Sequence, residues 1–499
     1  MIDKKDNLAT NAFFQGVTGI ISKIGSLIFT VILARMLFPE LFGLYSLALT
    51  IILTIITLTD FGLGSAITRY LAESKDKRTA RSRFIFLFNV RIALSLLASI
   101  LLFIFASSIA YFYKNPSLIL PLKIGSLYLF LTSIYTLLGA VLLAFQKLKY
   151  NALIESVFQI FRVFVVIIFI FYSKSVESVF LAISLATFFA VSVGIYFVFI
   201  KLFPFLFRGE KEPIQRKRML SFSSFILISS MGMLIFSNID KLFLGYFVTT
   251  EFIGYYTIIM TLVLGVTGLF SFTSVLFPKF AEIEKIELKN VFHNSIKYLS
   301  MISFPATIGL AYLSLPLIKF IYGANYVPLE NYSILFFTSF LLALLLFDGI
   351  ITPVYKMLFN SKEKEKIPAF TTFLSAILNI LLSFILISYF VKYSMTHALF
   401  GAALAISISR YVDLFLLMIL TKNKLGFSSG FKTMIKPFIA SVIMLLFLIL
   451  VRPYFSRWML LILIFISVVL YFVVLYLLKG IEKEEINIFF REIHIFRKI

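Results

Sequence analysis

Long, almost uninterrupted apolar runs recur from one end of this chain to the other, separated by short polar segments. A helix needs about 20 apolar residues to cross the hydrocarbon of a bilayer. Membrane strands instead show alternation over about 10 residues, which these runs lack. By that rule fourteen helical spans are predicted, at about 12–37, 44–66, 84–112, 118–145, 152–172, 178–203, 220–247, 252–277, 291–318, 331–356, 368–391, 397–420, 434–451 and 458–478. The first run, from about Asn11 to Leu37, is too long for the apolar core of a cleavable signal peptide, so it is expected to persist as the first span.

Composition sharpens this picture: 61% of the 499 residues are hydrophobic and 14% are charged, whereas soluble proteins are nearer half and a quarter. No mixed-composition stretch reaches the ~50 residues of a separate soluble domain. There is no cysteine, so disulfides, zinc–thiolate sites and thiol chemistry are excluded.

Net charge is +22, from 46 Lys+Arg against 24 Asp+Glu. With the N-terminus inside, 32 basic residues fall in cytoplasmic segments, 7 in external ones and 7 within spans. That bias puts both termini in the cytoplasm and accounts for the charge without nucleic acid. The external loops are short, the longest running roughly from Lys319 to Asn331, which disfavours membrane enzymes with a sizeable extramembrane site.

The longest charged interruption, Arg208 to Arg218 (RGEKEPIQRKR), comes after span six, and the segments flanking it resemble each other. Glu40-Leu-Phe-Gly43-Leu-Tyr45 matches Glu251-Phe-Ile-Gly254-Tyr-Tyr256 at an offset of 211, and Arg69-Tyr-Leu-Ala-Glu73 matches Pro278-Lys-Phe-Ala-Glu282 at 209. Span one carries a small-polar face of Gly19, Ser26 and Thr30 beside Gln15, Ser22 and Lys23; span seven repeats it with Ser230, Ser237 and Lys241. Six spans per half make the halves parallel repeats, related by an axis along the membrane normal, with a substrate site expected between them. The expected domains are 1–219 (spans one to six), 220–421 (seven to twelve) and 422–499 (the last pair and a cytoplasmic tail). Small polar residues also serve close helix packing.

Seven bases lie within spans: Lys23, Arg91, Lys123, Arg162, Lys241, Lys297 and Arg410; five acids do so or nearly so: Asp60, Glu155, Asp240, Asp348 and Asp413. A charge at the midplane costs at least ~2.5–3.5 kcal/mol, so such groups face a wet cavity or each other. Lys123 and Lys297 lie near an interface and can snorkel. Glu155, Gln159 and Arg162 form one polar face at spacings of four and three. Arg410 and Asp413, three apart, are placed to neutralise each other, while Asp240 and Lys241 point in different directions. Buried cations around a cavity suit an anionic ligand, and arginine offers a planar fork for phosphate; a purely structural ion-pair network is the other reading. No Gly-Lys dipeptide exists, so there is no P-loop, and three scattered histidines form no metal cluster. Asp60-Phe-Gly62 spells a kinase motif but ends a span, and Asn331-Tyr-Ser333 is a glycosylation sequon of the kind that arises by chance.

The stretch from Phe14 to Glu73 (…VILARMLFPELFGLYSLALTIILTIITLTDFGLGSAITRYLAE) resembles the start of the Wzx-like polysaccharide flippases. Ser237-Asn-Ile-Asp-Lys-Leu-Phe-Leu-Gly-Tyr246 with Glu251–Tyr256 resembles the start of that family's second lobe. These flippases belong to the multidrug/oligosaccharidyl-lipid/polysaccharide (MOP) exporter superfamily. The resemblance implies an all-α integral membrane protein with two six-helix lobes around a central cavity, opened alternately to either side, plus a peripheral C-terminal helix pair. It implies movement of a polyprenyl-diphosphate-linked oligosaccharide from the cytoplasmic to the outer leaflet of the cell membrane, by a monomer that works beside polysaccharide polymerase or ligase proteins. By position, Lys23, Arg91 and Arg162, then Lys241, are the candidates for holding the diphosphate. Moving two phosphate charges outward would gain roughly 4–5 kcal/mol at 100 mV, from ~2.3 per charge. Na+ or H+ antiport would instead need an acid such as Asp60, Asp240 or Asp348, with Arg410 and Asp413 as an ion pair. The alternatives are a lipid II flippase and a cation-coupled multidrug exporter of the MATE type. The exporter would want acids in excess, whereas bases outnumber acids in the spans seven to five.

Overall fold

The computed structural model describes residues 8–208, 210, 212–269, 280, 282–283, 285–426, 431–451 and 458–480. The matched loop Pro278–Glu282 lies largely outside them, as do Lys279, Arg452, Arg457 and most of the tail, and the side chains of Ser230 and Ser237 are not described. Among the described residues the architecture is all-helical: α1 (Leu8–Asp60), α2 (Leu63–Ala72), α3 (Lys77–Phe112), α4 (Ile119–Ala144), α5 (Leu148–Tyr172), α6 (Val176–Ile195), α7 (Arg216–Phe247), α8 (Thr250–Leu269), α9 (Lys285–Ile321), α10 (Tyr332–Ser361), α11 (Lys366–Phe390), α12 (Met395–Leu425), α13 (Phe431–Leu450) and α14 (Met459–Leu477). Twelve stretches are long and apolar enough to cross a membrane. One of them, in α1, holds two crossings, and α7 is also long enough at 32 residues, so the described helices supply fourteen crossings.

Two local departures from the predicted spans have clear physical causes. Residues 38–43, expected as the first external loop, are instead a sharp fold within α1. Phe38 takes φ 60° and ψ 172° just before Pro39, which has no N–H to continue the ladder. The rings of Phe29 and Tyr45 lie 6.5 Å apart, whereas a straight helix at 1.5 Å per residue would hold these positions about 24 Å apart. The chain therefore doubles back without a loop. Span two also ends at Asp60 rather than 66, because Phe61 and Gly62 both adopt positive φ. The next helix, α2, has ten residues and is too short to cross. It buries Leu63, Ala66, Ile67, Tyr70 and Leu71 at helical spacing on one face. Gly62 is required twice over, since a Cβ there would also overlap the Ser223 carbonyl.

α3 opens on a side-chain cap: Asp76 accepts hydrogen bonds from the Thr79 amide and hydroxyl, each at 2.7 Å. Those bonds hold the Asp76 carboxyl below the usual aspartate range. The cap's contribution is therefore full above that range and is lost as pH falls through the lowered value.

By internal contacts the chain forms two compact units, residues 1–257 with 391–398, and 258–390 with 399–499. The first is centred on Phe84, Leu87, Leu137, Val141, Phe145 and Phe203. In the second, Met301 and Leu313 of α9 pack with Met444 of α13 and Tyr471 of α14. The Tyr471 hydroxyl donates to the Met301 carbonyl at 2.8 Å, fixing the final helix pair on α9.

The internal repeat takes physical form inside the first unit. A Cβ on Gly43 would overlap the Thr250 carbonyl, and a Cβ on Gly254 would overlap the Pro39 carbonyl. Positions 39 and 250 are 211 apart, and so are 43 and 254. Each repeat's glycine thus receives the backbone of the other repeat at the equivalent position, the reciprocal pattern of a two-fold contact. Gly43→Ala and Gly254→Ala are each expected to destabilise by at least the ~1–3 kcal/mol of an overpacked site, and by similar amounts, measured by thermal unfolding in detergent.

Candidate functional site

The polar face predicted on α5 continues into a chain of side chains from three helices. Tyr135 of α4 donates to Glu155 Oε2 at 2.5 Å. Gln159 donates from Nε2 to Glu155 Oε1 at 2.7 Å, and its Oε1 accepts from Arg162 Nη2 at 2.6 Å. The same Nη2 reaches Ser26 Oγ of α1 at 3.2 Å. Glu155 as a carboxylate only accepts and Arg162 only donates, so the Gln159 amide has one workable orientation. Space for Gln159 comes from Gly25, where a Cβ would come within 2.6 Å of Gln159 Oε1.

Arg162 stands two residues past the middle of α5. Its guanidinium carbon lies 4.3 Å from the Phe29 ring centroid and 5.1 Å from that of Phe158, contacts that favour a partly desolvated cation. Among the described residues no carboxylate lies within ion-pair distance of it, and its buried Nε has no hydrogen-bond partner. Lys23 is exposed on α1, three residues before Ser26 and so on the same side of the helix as the residue that meets Arg162.

The other charges within the helices have different surroundings. Arg91 is fully buried and ion-paired with Asp60. It also donates to the Ser133 carbonyl at 3.1 Å and to Thr136 Oγ1 at 2.7 Å, so all three guanidinium nitrogens are engaged within the first unit. Asp240 is buried and accepts from the Tyr256 hydroxyl and from the Lys241 amide, the latter at 2.8 Å. Lys241 lies within two turns of the α7 C-terminus, well away from that helix's middle.

In the second unit the expected neutralisation of Arg410 by Asp413 does not occur. Arg410 approaches Asp348 at 3.9 Å, while Asp413 pairs with Lys356 at 2.8 Å. Residues three apart on one helix share a side, but here each finds a closer opposite charge on the facing helix α10. Lys356, expected in a cytoplasmic loop, lies inside α10 and also donates to Thr372 at 2.7 Å. Asp348 accepts from Thr352 at 2.5 Å. A cavity of about 320 Å³ in this unit is lined almost wholly by apolar side chains, among them Phe304, Phe347, Met418 and Phe438, and offers nothing to an anion.

The helix order and geometry define an all-helical, multi-pass membrane fold. The chain superposes on the lipid II flippase MurJ in its inward closed conformation with a TM-score of 0.75, covering 97% of this chain and 99% of that one at 18% identity. An inward-facing MATE-family multidrug transporter of the MOP superfamily gives 0.58, covering 85% and 97% at 15% identity. Residues 32–331 match the profile of the family described as polysaccharide biosynthesis protein, and the chain belongs to that family. The chain is 26% identical over 313 residues to an uncharacterized membrane protein of Methanocaldococcus jannaschii. It is 25% identical over 206 residues to a probable low-salt glycan biosynthesis flippase of Haloferax volcanii. The matches cover 57% and 40% of this chain, and the chain spans 61% and 40% of those relatives' own lengths. Where a function is named among these proteins it is that of a flippase or transporter, not an enzyme.

Proposed function

We propose that the protein is a flippase that carries a polyprenyl-diphosphate-linked oligosaccharide from the cytoplasmic to the outer leaflet of the cell membrane by alternating access, with both termini cytoplasmic. One observation carries this reading: Arg162, at mid-helix depth, is a cation without an acid partner among the described residues and with hydrogen-bonding capacity to spare. A half-buried charge with a buried, unpartnered Nε is costly, and a ligand phosphate would supply the missing acceptors in the charge-assisted geometry arginine favours. Lys23, one turn from the Ser26 contact, adds a second positive charge on that side. The family description favours a polysaccharide precursor over lipid II. The inside-negative potential would drive two phosphate charges outward by roughly 4–5 kcal/mol at 100 mV. A Na+ or H+ antiport is the other source of energy, with Asp240, Asp60 and Asp348 as the acids to test.

The test is leaflet translocation of a fluorescent polyprenyl-diphosphate oligosaccharide in proteoliposomes. Wild-type protein is expected to expose the lipid to an external quencher. Proton-coupled exchange of a cationic dye with no lipid movement would make it an exporter instead. Gln159→Glu supplies a sharper check. It keeps the side chain's size but sets a carboxylate where Arg162 now donates at 2.6 Å. The resulting ion pair is expected to cut lipid translocation at least tenfold, with some loss of thermal stability, because the amide that donated to Glu155 at 2.7 Å is replaced by a like-charged oxygen.

A further inference from the structure

The charged segment between the repeats is tied down along the first turns of α3. Arg78 pairs with Glu210 at 2.9 Å, and Arg81 donates to the Phe207 carbonyl at 3.1 Å. The Thr79 hydroxyl lies 2.7 Å from Glu212 Oε2 and shares its one proton between that carboxylate and Asp76, and the Glu212 amide donates to Ser82 Oγ at 2.7 Å. Between this segment and α3 lies a cavity of about 480 Å³, lined by Phe86, Asn89, Val90, Glu212, Ile214 and Arg216 among others. It falls in the size range of ordinary small-ligand sites, and the tethers preform its outer wall.

The lining has a particular chemistry. Arg216 lies with its guanidinium carbon 5.7 Å from the Phe86 ring centroid. Asn89, Glu212 and Arg216 are all exposed, and the Asn89 amide has no hydrogen-bond partner among the described residues. Asn89 is twelve residues into α3, about 18 Å along the helix, so the cavity descends from the cytoplasmic rim toward the bilayer. One amide, one carboxylate and one guanidinium sum to no net charge. A diphosphate would meet the Glu212 carboxylate as a like charge, which is unfavourable. An acyl chain would set the Asn89 amide and the Arg216 guanidinium against hydrocarbon. A sugar ring fits both counts: its hydroxyls donate and accept, as an amide, a carboxylate and a guanidinium require, and its C–H face packs on an aromatic ring.

We propose that this cavity is a cytoplasmic-side subsite for a neutral sugar of the lipid-linked glycan, binding the headgroup before the diphosphate engages Arg162. The inference rests on the flippase reading, and the experiment separates the two. The chain has no native cysteine, so Ala93→Cys, at the deep end of the cavity, is a single reporter. The probe is the polyprenyl-linked oligosaccharide pool extracted from the source cells' membranes, used intact and after mild acid has removed the glycan. In proteoliposomes the intact pool is expected to slow maleimide labelling at least fivefold and the stripped pool to leave it unchanged. Adding Asn89→Leu is expected to abolish that protection. Equal protection by both pools, or by neither while wild-type protein still translocates the intact lipid, overturns the subsite alone. Failure of wild-type translocation overturns the flippase reading and the subsite with it.

Discussion

Arg162→Ala is expected to slow lipid translocation by about 10- to 100-fold without unfolding the protein. The magnitude comes from the hydrogen bonds at stake: one to a charged group contributes about 1.5–3 kcal/mol, and each 1.4 kcal/mol is a factor of ten. Among the described residues the guanidinium donates only to Gln159 and Ser26 and touches two aromatic rings, so its loss removes no ion pair among them. Arg162→Lys keeps the charge but loses the planar fork, and is expected to recover part of the rate. Thermal unfolding in detergent, run beside the transport assay, separates the outcomes. A purely structural residue would lose stability and rate together, whereas a ligand-holding residue loses rate with stability nearly kept.

The opposite behaviour is expected of Arg91. Replacing it with methionine leaves the Asp60 carboxylate, the Ser133 carbonyl and Thr136 without their donor. Breaking a buried pair by removing one partner costs about 3–5 kcal/mol, so Arg91→Met is expected to lower the unfolding temperature by several degrees or to abolish expression. The Asp60 side chain is 31% exposed, which places the effect toward the lower end. Replacing both partners with apolar residues of similar volume is often neutral. Arg91→Met with Asp60→Leu should therefore regain most of the lost stability, and transport with it. A double variant that is stable yet inactive would return Arg91 to the substrate-holding set.

Much of the fold was legible because its signals are local. A run of some 20 apolar residues specifies a crossing wherever it falls. The repeat was legible at Gly43 and Gly254, since only glycine tolerates the backbone approach found there. Local rules failed where two signals competed. Leu63–Ala72 is apolar enough to extend the second span, and only the positive φ at Phe61 and Gly62 detaches it. At the site, the spacing of Glu155, Gln159 and Arg162 predicted a shared face, and the hydrogen-bonded relay lies along it. The aromatic contact from Phe158 was also readable, four residues before Arg162. Phe29, Tyr135 and Ser26 were not, because they come from other helices. The pairings of Arg91 with Asp60 and of Lys356 with Asp413 cross 31 and 57 residues, and no periodicity reports such distances. For that reason equal-looking arginines in the sequence separate, in three dimensions, into one that is spent on the fold and one that is available.

In the proposed function the cation at Arg162 holds the diphosphate. The most direct measurement is the dissociation constant of the purified protein in lipid nanodiscs for a polyprenyl diphosphate that carries no sugar, compared between wild type and Arg162→Ala. At least tenfold weaker binding by the variant, with an unchanged unfolding temperature, is the predicted result. Equal affinity in the two proteins would contradict it.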